Sequence, residues 1–296
     1  MSVEDYLQRA SERVLNGNFA GAIEDYTRVI QINPNIAEAY YNRGSAYVSL
    51  GAYEEAIEDY NCAVQLNSSD ANTYYSRGVV YAKLGDQRLA LADFNQAIQL
   101  NSIDADAYLS RGVARSQLGD LQGAIQDYTQ TIQLEPSEVG AYYHRGIDRF
   151  RLGDWRGAIK DYDRAIQLEP DNAITYSNRG TAYLNLGDEQ RALEDQNRAI
   201  QLDPNYAIAY FNRAVTRSNS GDERGAIEDY DRAIQLTPND ARFYANRGAT
   251  YYRLGDYQAA IADLEQAAQL FQSQGNGFNF ERVRSVIEQL RNETAR

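Results

Sequence analysis

Two side chains in the sequence stand at a spacing that could move a proton. His144 and Asp148 are four residues apart, so on a helix they share one face, with Arg149 and Arg151 beside them. An acid–base pair is the chemistry that this spacing would allow. The chain has no G-x-S-x-G elbow, no P-loop and no metal-ligand set, and His144 is its single histidine. The single cysteine, Cys62, excludes an internal disulfide framework and any Cys-cluster metal site. His144 and Asp148 therefore read as a local salt-bridge cluster, and no catalytic residue, metal or cofactor is expected.

A second pairing of opposite charges is far more regular. Arginine recurs every 34 residues at Arg9, Arg43, Arg77, Arg111, Arg145, Arg179, Arg213 and Arg247, and aspartate at Asp25, Asp59, Asp93, Asp127, Asp161, Asp195, Asp229 and Asp263. Midway between the two columns lies a glycine, Gly17 in the first unit and Gly255 in the eighth. In an antiparallel hairpin turning at Gly51, Arg43 and Asp59 each sit eight residues from the turn, or about 12 Å along their helices. Each shares its helix's packing face, Arg43 with Tyr40 and Tyr47, Asp59 with Ala56 and Ala63. Eight partly buried Arg–Asp pairs, one per hairpin, are predicted as scaffold.

The elements that position these charges follow from the same period. Eight units of 34 residues cover 3–36, 37–70, 71–104, 105–138, 139–172, 173–206, 207–240 and 241–274. Tyr40, Gly44 and Tyr47, then Ala56, Tyr60 and Ala63, repeat with helical spacing, so each unit holds two helices. The break is the glycine, followed in most later units by a capping aspartate such as Asp86 or Asp120, and Pro34, Pro136, Pro170, Pro204 and Pro238 separate units. A lone hairpin cannot bury both faces; stacked hairpins build a continuous core. The tail leaves the register after Gly275-Asn276-Gly277, and Phe280, Val283, Ile287 and Leu290 form one apolar stripe over 278–295, a predicted capping helix. No such cover exists at the other end, where Tyr6 and Leu7 are expected to be open.

The pattern Tyr40, Gly44, Tyr47, Ala56, Tyr60, Ala63 with a terminal proline resembles the tetratricopeptide repeat, in eight tandem copies over 3–274. The resemblance implies an all-α fold, a right-handed α-solenoid whose first helices line a concave groove, and a non-catalytic adaptor that binds a peptide segment or helix of a partner protein there. The chain departs from the commonest pattern by placing arginine where leucine is usual. Scarce lysine (Lys83 and Lys160 alone) and abundant Gln, Asn and Arg resemble bacterial repeat proteins, cyanobacterial ones among them.

Side chains on the groove face vary between units. Asn42, Asn178, Asn212 and Asn246 share one column with His144; Tyr41, Tyr75, Tyr143 and Phe211 share the next, with Phe150, Arg242 and Tyr252 nearby. Amides suit the main chain of an extended ligand and aromatics suit anchors, unless the rings fill contacts between successive first helices. The resemblance also implies a test for the clamp that some such repeats use on acidic chaperone tails. Asn212 and Arg242 match it, but Ser177, Thr181 and Asn246 do not, so that role is disfavoured. A net charge of −13 argues against nucleic acid. The acidic start Met1-Ser2-Val3-Glu4-Asp5 and the lack of a long apolar stretch suit a cytoplasmic protein without membrane insertion. The alternative reading is a structural protein whose copies associate into a homo-oligomer.

Overall fold

The computed structural model describes residues 1–294, and every helix-forming expectation can be compared with it except at Ala295, which lies outside the described residues. The described residues form 17 helices and no strand. First helices of 13 residues are α1 (Val3–Leu15), α3 (Ala37–Ser49), α5 (Ala71–Lys83), α7 (Ala105–Gln117), α9 (Val139–Arg151), α11 (Ala173–Asn185), α13 (Ala207–Asn219) and α15 (Ala241–Arg253). Second helices are α2 (Phe19–Ile32), α4 (Tyr53–Leu66), α6 (Gln87–Leu100), α8 (Leu121–Leu134), α10 (Trp155–Leu168), α12 (Glu189–Leu202), α14 (Glu223–Leu236) and the longer α16 (Tyr257–Ser273); α17 (Gly277–Thr294) follows. The fold is an all-α helical repeat. Two compact units divide it, Met1–Asp148 and the part from Arg149 onward, with the division falling inside α9.

Local chemistry explains the hairpins. At each turn the glycine takes a positive φ, 75° at Gly51, a conformation costly for any residue with a Cβ. The aspartates that follow are N-caps; Asp120 accepts the amide of Gly123 at 3.0 Å, and Asp154 that of Gly157 at 2.9 Å. Where the helices of a hairpin cross, the residue must be small. A Cβ on Gly44 would stand 3.0 Å from the Tyr60 ring, and one on Gly112 only 2.6 Å from Tyr128.

The Arg–Asp column is the repeating polar feature of the core. Arg43 donates from Nε and Nη2 to both carboxylate oxygens of Asp59 at 2.8 and 2.7 Å, and Arg77–Asp93, Arg111–Asp127, Arg179–Asp195, Arg213–Asp229 and Arg247–Asp263 repeat this fork. Arg9 grips Asp25 in the same way. The Arg145–Asp161 pair would join the two compact units and stays an expectation. Each guanidinium also lies over the tyrosine three residues earlier, for example 5.8 Å from the Tyr40 ring and 5.3 Å from Tyr108.

A third contact ties hairpin to hairpin. Nη1 of Arg43 donates to Thr27 of the preceding hairpin at 3.0 Å, Arg77 to Asn61 at 2.6 Å, Arg111 to Asn95 at 2.9 Å and Arg213 to Asn197 at 2.7 Å. One arginine therefore joins both helices of its own hairpin to the second helix before it. The aspartates are buried and the arginine side chains 14–19% exposed, so these pairs lie well out of water. The hydrogen bonds to Asp59 hold the Arg43 guanidinium above its ordinary pKa, ahead of the opposing effect of burial.

The two chain ends depart from the columns. Ala39, Thr73, Ala107, Thr175, Ala209 and Phe243 share one buried column, and Ala46, Val80, Ala114, Ala182, Thr216 and Thr250 another. Val80 packs with Ala56 and Tyr60, Ala114 with Ala90 and Phe94, and Phe243 with Ala233, so these columns face the preceding hairpin. In α1 the same positions are Asp5 and Glu12, both exposed. Tyr6 and Leu7, expected to be open, are half-buried instead: Tyr6 lies beneath Arg9 at 5.3 Å, and Leu7 packs on Ala10, Ala22 and Tyr26. At the other end α17 buries Val283, Ile287 and Leu290 against Leu264, Ala267, Ala268 and Phe271.

Candidate functional site

The expected site residues fall in two sets, one in each compact unit, and within each unit successive first helices run close to one another. In the first unit Tyr41 is half-buried, its ring 5.8 Å from Tyr60, and its hydroxyl accepts from Ser76 of α5 at 3.5 Å. Beside it Asn42 and Tyr41 line a shallow cleft of about 230 Å³ with Glu38, Asn72 and Thr73. The Tyr75 ring lies 5.9 Å from Phe94, and burial pushes its phenol above the usual pKa. Rings in this column thus serve the contacts between helices as well as the surface.

Tyr143 meets His144 edge-on at 5.3 Å, while His144 stacks on Tyr128 at 5.9 Å. Burial lowers the His144 pKa from its ordinary 6.5, although Asp148 and Glu138 pull the other way. Asp148 is buried and accepts the Ser116 hydroxyl at 2.8 Å. A stacked histidine and a carboxylate that accepts from a serine form a packing and hydrogen-bonding cluster.

In the second unit Phe150 is half-buried. Phe211 stands 5.9 Å from Tyr230 and 5.0 Å from Phe243, bridging α13 to α15. Asn178 is half-buried, and Asn212 donates to the Ser177 hydroxyl at 3.0 Å, closing a buried set in which Ser177 donates to Gln196 at 2.9 Å. Asn246 donates to the Arg242 carbonyl of its own helix at 2.8 Å, and Arg242 is paired with Asp240 at 2.5 Å. Tyr252 is exposed, its ring 5.7 Å from Tyr257.

Three of these side chains converge. Arg242, Asn246 and Tyr252 line one wall of a cleft of about 580 Å³ between α15 and α17, floored by Leu264 and Phe271 of α16. Its other wall, Asn279, Arg282, Val283, Val286, Gln289 and Leu290, comes from α17, whose Val283 and Leu290 are expected from the sequence to cap the last hairpin and not to line a site. A signal was available: Ala245 stands in the column of Tyr41, Tyr75, Tyr143 and Phe211, and Leu264 in that of Tyr60, Phe94, Tyr128 and Tyr230. The first column holds a ring in four of the other units and the second in six, and both positions are aliphatic here.

No helix among the described residues is long and apolar enough to cross a membrane. No curated relative matches the chain. Among solved structures, YrrB, a tetratricopeptide repeat protein with an unusual peptide-binding site, superposes with a TM-score of 0.58 at 24% identity, over 62% of this chain and 95% of that one. MamA follows at 0.54 and 28% identity, over 57% and 92%. A tetratricopeptide repeat protein from Parabacteroides merdae aligns at 0.61 and 21% identity, over 84% and 98%. The family model described as TPR repeat matches residues 10–51, 44–85, 148–187 and 219–255. Models described as tetratricopeptide repeat match 71–103, 105–138, 173–206, 197–228 and 241–274. With the hairpins, glycine turns and small crossing residues already in place, the chain belongs to the tetratricopeptide repeat family, whose fold is generally a non-catalytic scaffold for protein–protein interaction.

Proposed function

We propose that this protein is a cytoplasmic adaptor that holds a peptide segment or helix of a protein partner against the faces of its first helices. The observation that carries the reading is a contrast along the repeat. The arginine and aspartate columns that pair the two helices of each hairpin are constant, while neighbouring first-helix positions change from Asn42 to Ser76, Ser110, His144 and Asn178. Variation over a fixed scaffold is what recognition of one particular partner requires. Asn42 with Tyr41 in the first unit, and Arg242, Asn246 and Tyr252 in the second, are the side chains assigned to that contact. Association of copies end to end is disfavoured, because it would bury Asp5 and Glu12 at one end and displace α17 at the other.

Photo-crosslinking tests the reading. A benzophenone side chain placed at Asn42 or Asn246 should capture a partner from native lysate, and one placed at the exposed Glu58 of α4 or Glu228 of α14 should not. Capture from the second-helix positions alone would remove the binding surface from the first helices.

A further inference from the structure

We infer that the cleft between α15 and α17 takes an aromatic side chain of the partner, flanked by acidic residues, in the position that other hairpins fill with a ring of their own. This deepens the adaptor reading and rests on it. The internal precedent is geometric. In three other hairpins the ring of the equivalent column, Tyr41, Tyr75 or Phe211, stands 5.8, 5.9 and 5.9 Å from the ring of the second helix. The sixth hairpin lacks both rings but replaces them with the Ser177–Gln196 hydrogen bonds, completed by Asn212. The eighth has Ala245 and Leu264, with Ala249 beside them, and neither rings nor a polar substitute closes the space; α17 walls it instead with Val283, Val286 and Leu290.

Shape gives the ring and charge gives its neighbours. The cleft of about 580 Å³ is lined by Arg242 and Arg282 and by no carboxylate, on a chain of net charge −13. Asp240 satisfies Arg242 at the rim, whereas Arg282 makes no ion pair among the described residues. Asn246 uses its amide nitrogen on the Arg242 carbonyl, which leaves its Oδ1 to accept from a ligand N–H or hydroxyl. An aromatic ring over Leu264 with an Asp or Glu reaching Arg282 suits the apolar floor and the unpaired cation of the lining, and buried aromatic anchors dominate such interfaces.

The test pans random peptides displayed on phage against the full chain and two variants. The wild type should enrich peptides with an aromatic residue beside Asp or Glu. Ala245→Phe fills the space from within and should lower their capture about tenfold or more, while melting no lower than the wild type, since a ring is native at this column in α3, α5 and α13. Arg282→Glu, on an exposed position of α17, should keep the aromatic preference and abolish the acidic one. Enrichment without an aromatic, no enrichment over resin alone, or equal capture by Ala245→Phe overturns the inference. The two readings fail separately: a lysate partner that crosslinks at Asn42 or Asn246 but binds Ala245→Phe unchanged keeps the first-helix surface and removes the aromatic site. Peptides that depend on Ala245, with no partner crosslinked from lysate, do the reverse.

Discussion

The two ends of this repeat array solve one physical problem in opposite ways. Any hairpin stack has a first and a last face shaped to receive a neighbour, and each would be an adhesive apolar surface if left as in the interior. At the start the solution is charge: Asp5 and Glu12 stand where interior hairpins bury Ala39 or Thr73 and Ala46 or Val80. At the finish it is a helix, α17, which lays Val283, Ile287 and Leu290 over α16. The arginine ladder shows the same contrast. Among the described residues no hairpin stands before Arg9; its Nη1 donates to the Met1 sulfur, and its side chain is 41% exposed. At the other terminus the ladder position on α16, Glu265, is taken by Arg291 of α17, which completes the contact a ninth hairpin would have made. Charge keeps a surface closed without ordering anything; a helix closes it with packing and, in doing so, creates a cleft.

That difference can be broken from the heavier end first. A chain ending at Gln274 loses the buried stripe of α17, a cost on the order of 5 kcal/mol, seen as a lower melting midpoint and lost hydrogen-exchange protection in α16. Next comes the ladder. Arg77→Ala leaves Asp93 buried without its partner and should cost about 3–5 kcal/mol by denaturant unfolding, whereas Arg9→Ala, at the more exposed end and with Arg13 still 3.1 Å from Asp25, should cost clearly less. Equal losses at the two positions would mean that neither the exposure of Arg9 nor the second arginine on Asp25 softens the loss. A smaller effect concerns pH. The folded His144 has a lowered pKa, so below about 6.5 the unfolded chain binds a proton that the fold does not. Stability is therefore lost as pH falls from about 6.5 toward the depressed value, and His144→Gln should flatten that slope in melting curves taken across the window.

Much of this was written in the spacing. Gly51, equidistant from Arg43 and Asp59, is enough to place both charges at one height, because an antiparallel hairpin leaves no other register. What spacing within a unit does not contain is the direction to the next unit. The third bond, Arg77 to Asn61 or Arg213 to Asn197, joins residues 16 apart across a hairpin boundary and needs the stacking geometry. For the same reason the meaning of Asp5 and Glu12 was hidden: the columns were visible, but not that they face the preceding hairpin. The aromatic column was legible as a column and not as a division of labour. Tyr41 and Phe211 lie between helices, while Ala245 in the same series opens the cleft with α17.

The claim that both ends are closed, so that recognition is left to the first helices and the cleft, is met most directly by sedimentation velocity over a concentration series. The full chain is compared with a chain that ends at Gln274 and carries Asp5→Thr and Glu12→Ala, residue types found in the interior columns. The full chain should sediment as one concentration-independent species and the opened one as progressively heavier species. A full chain that associates as strongly as the opened chain would contradict it.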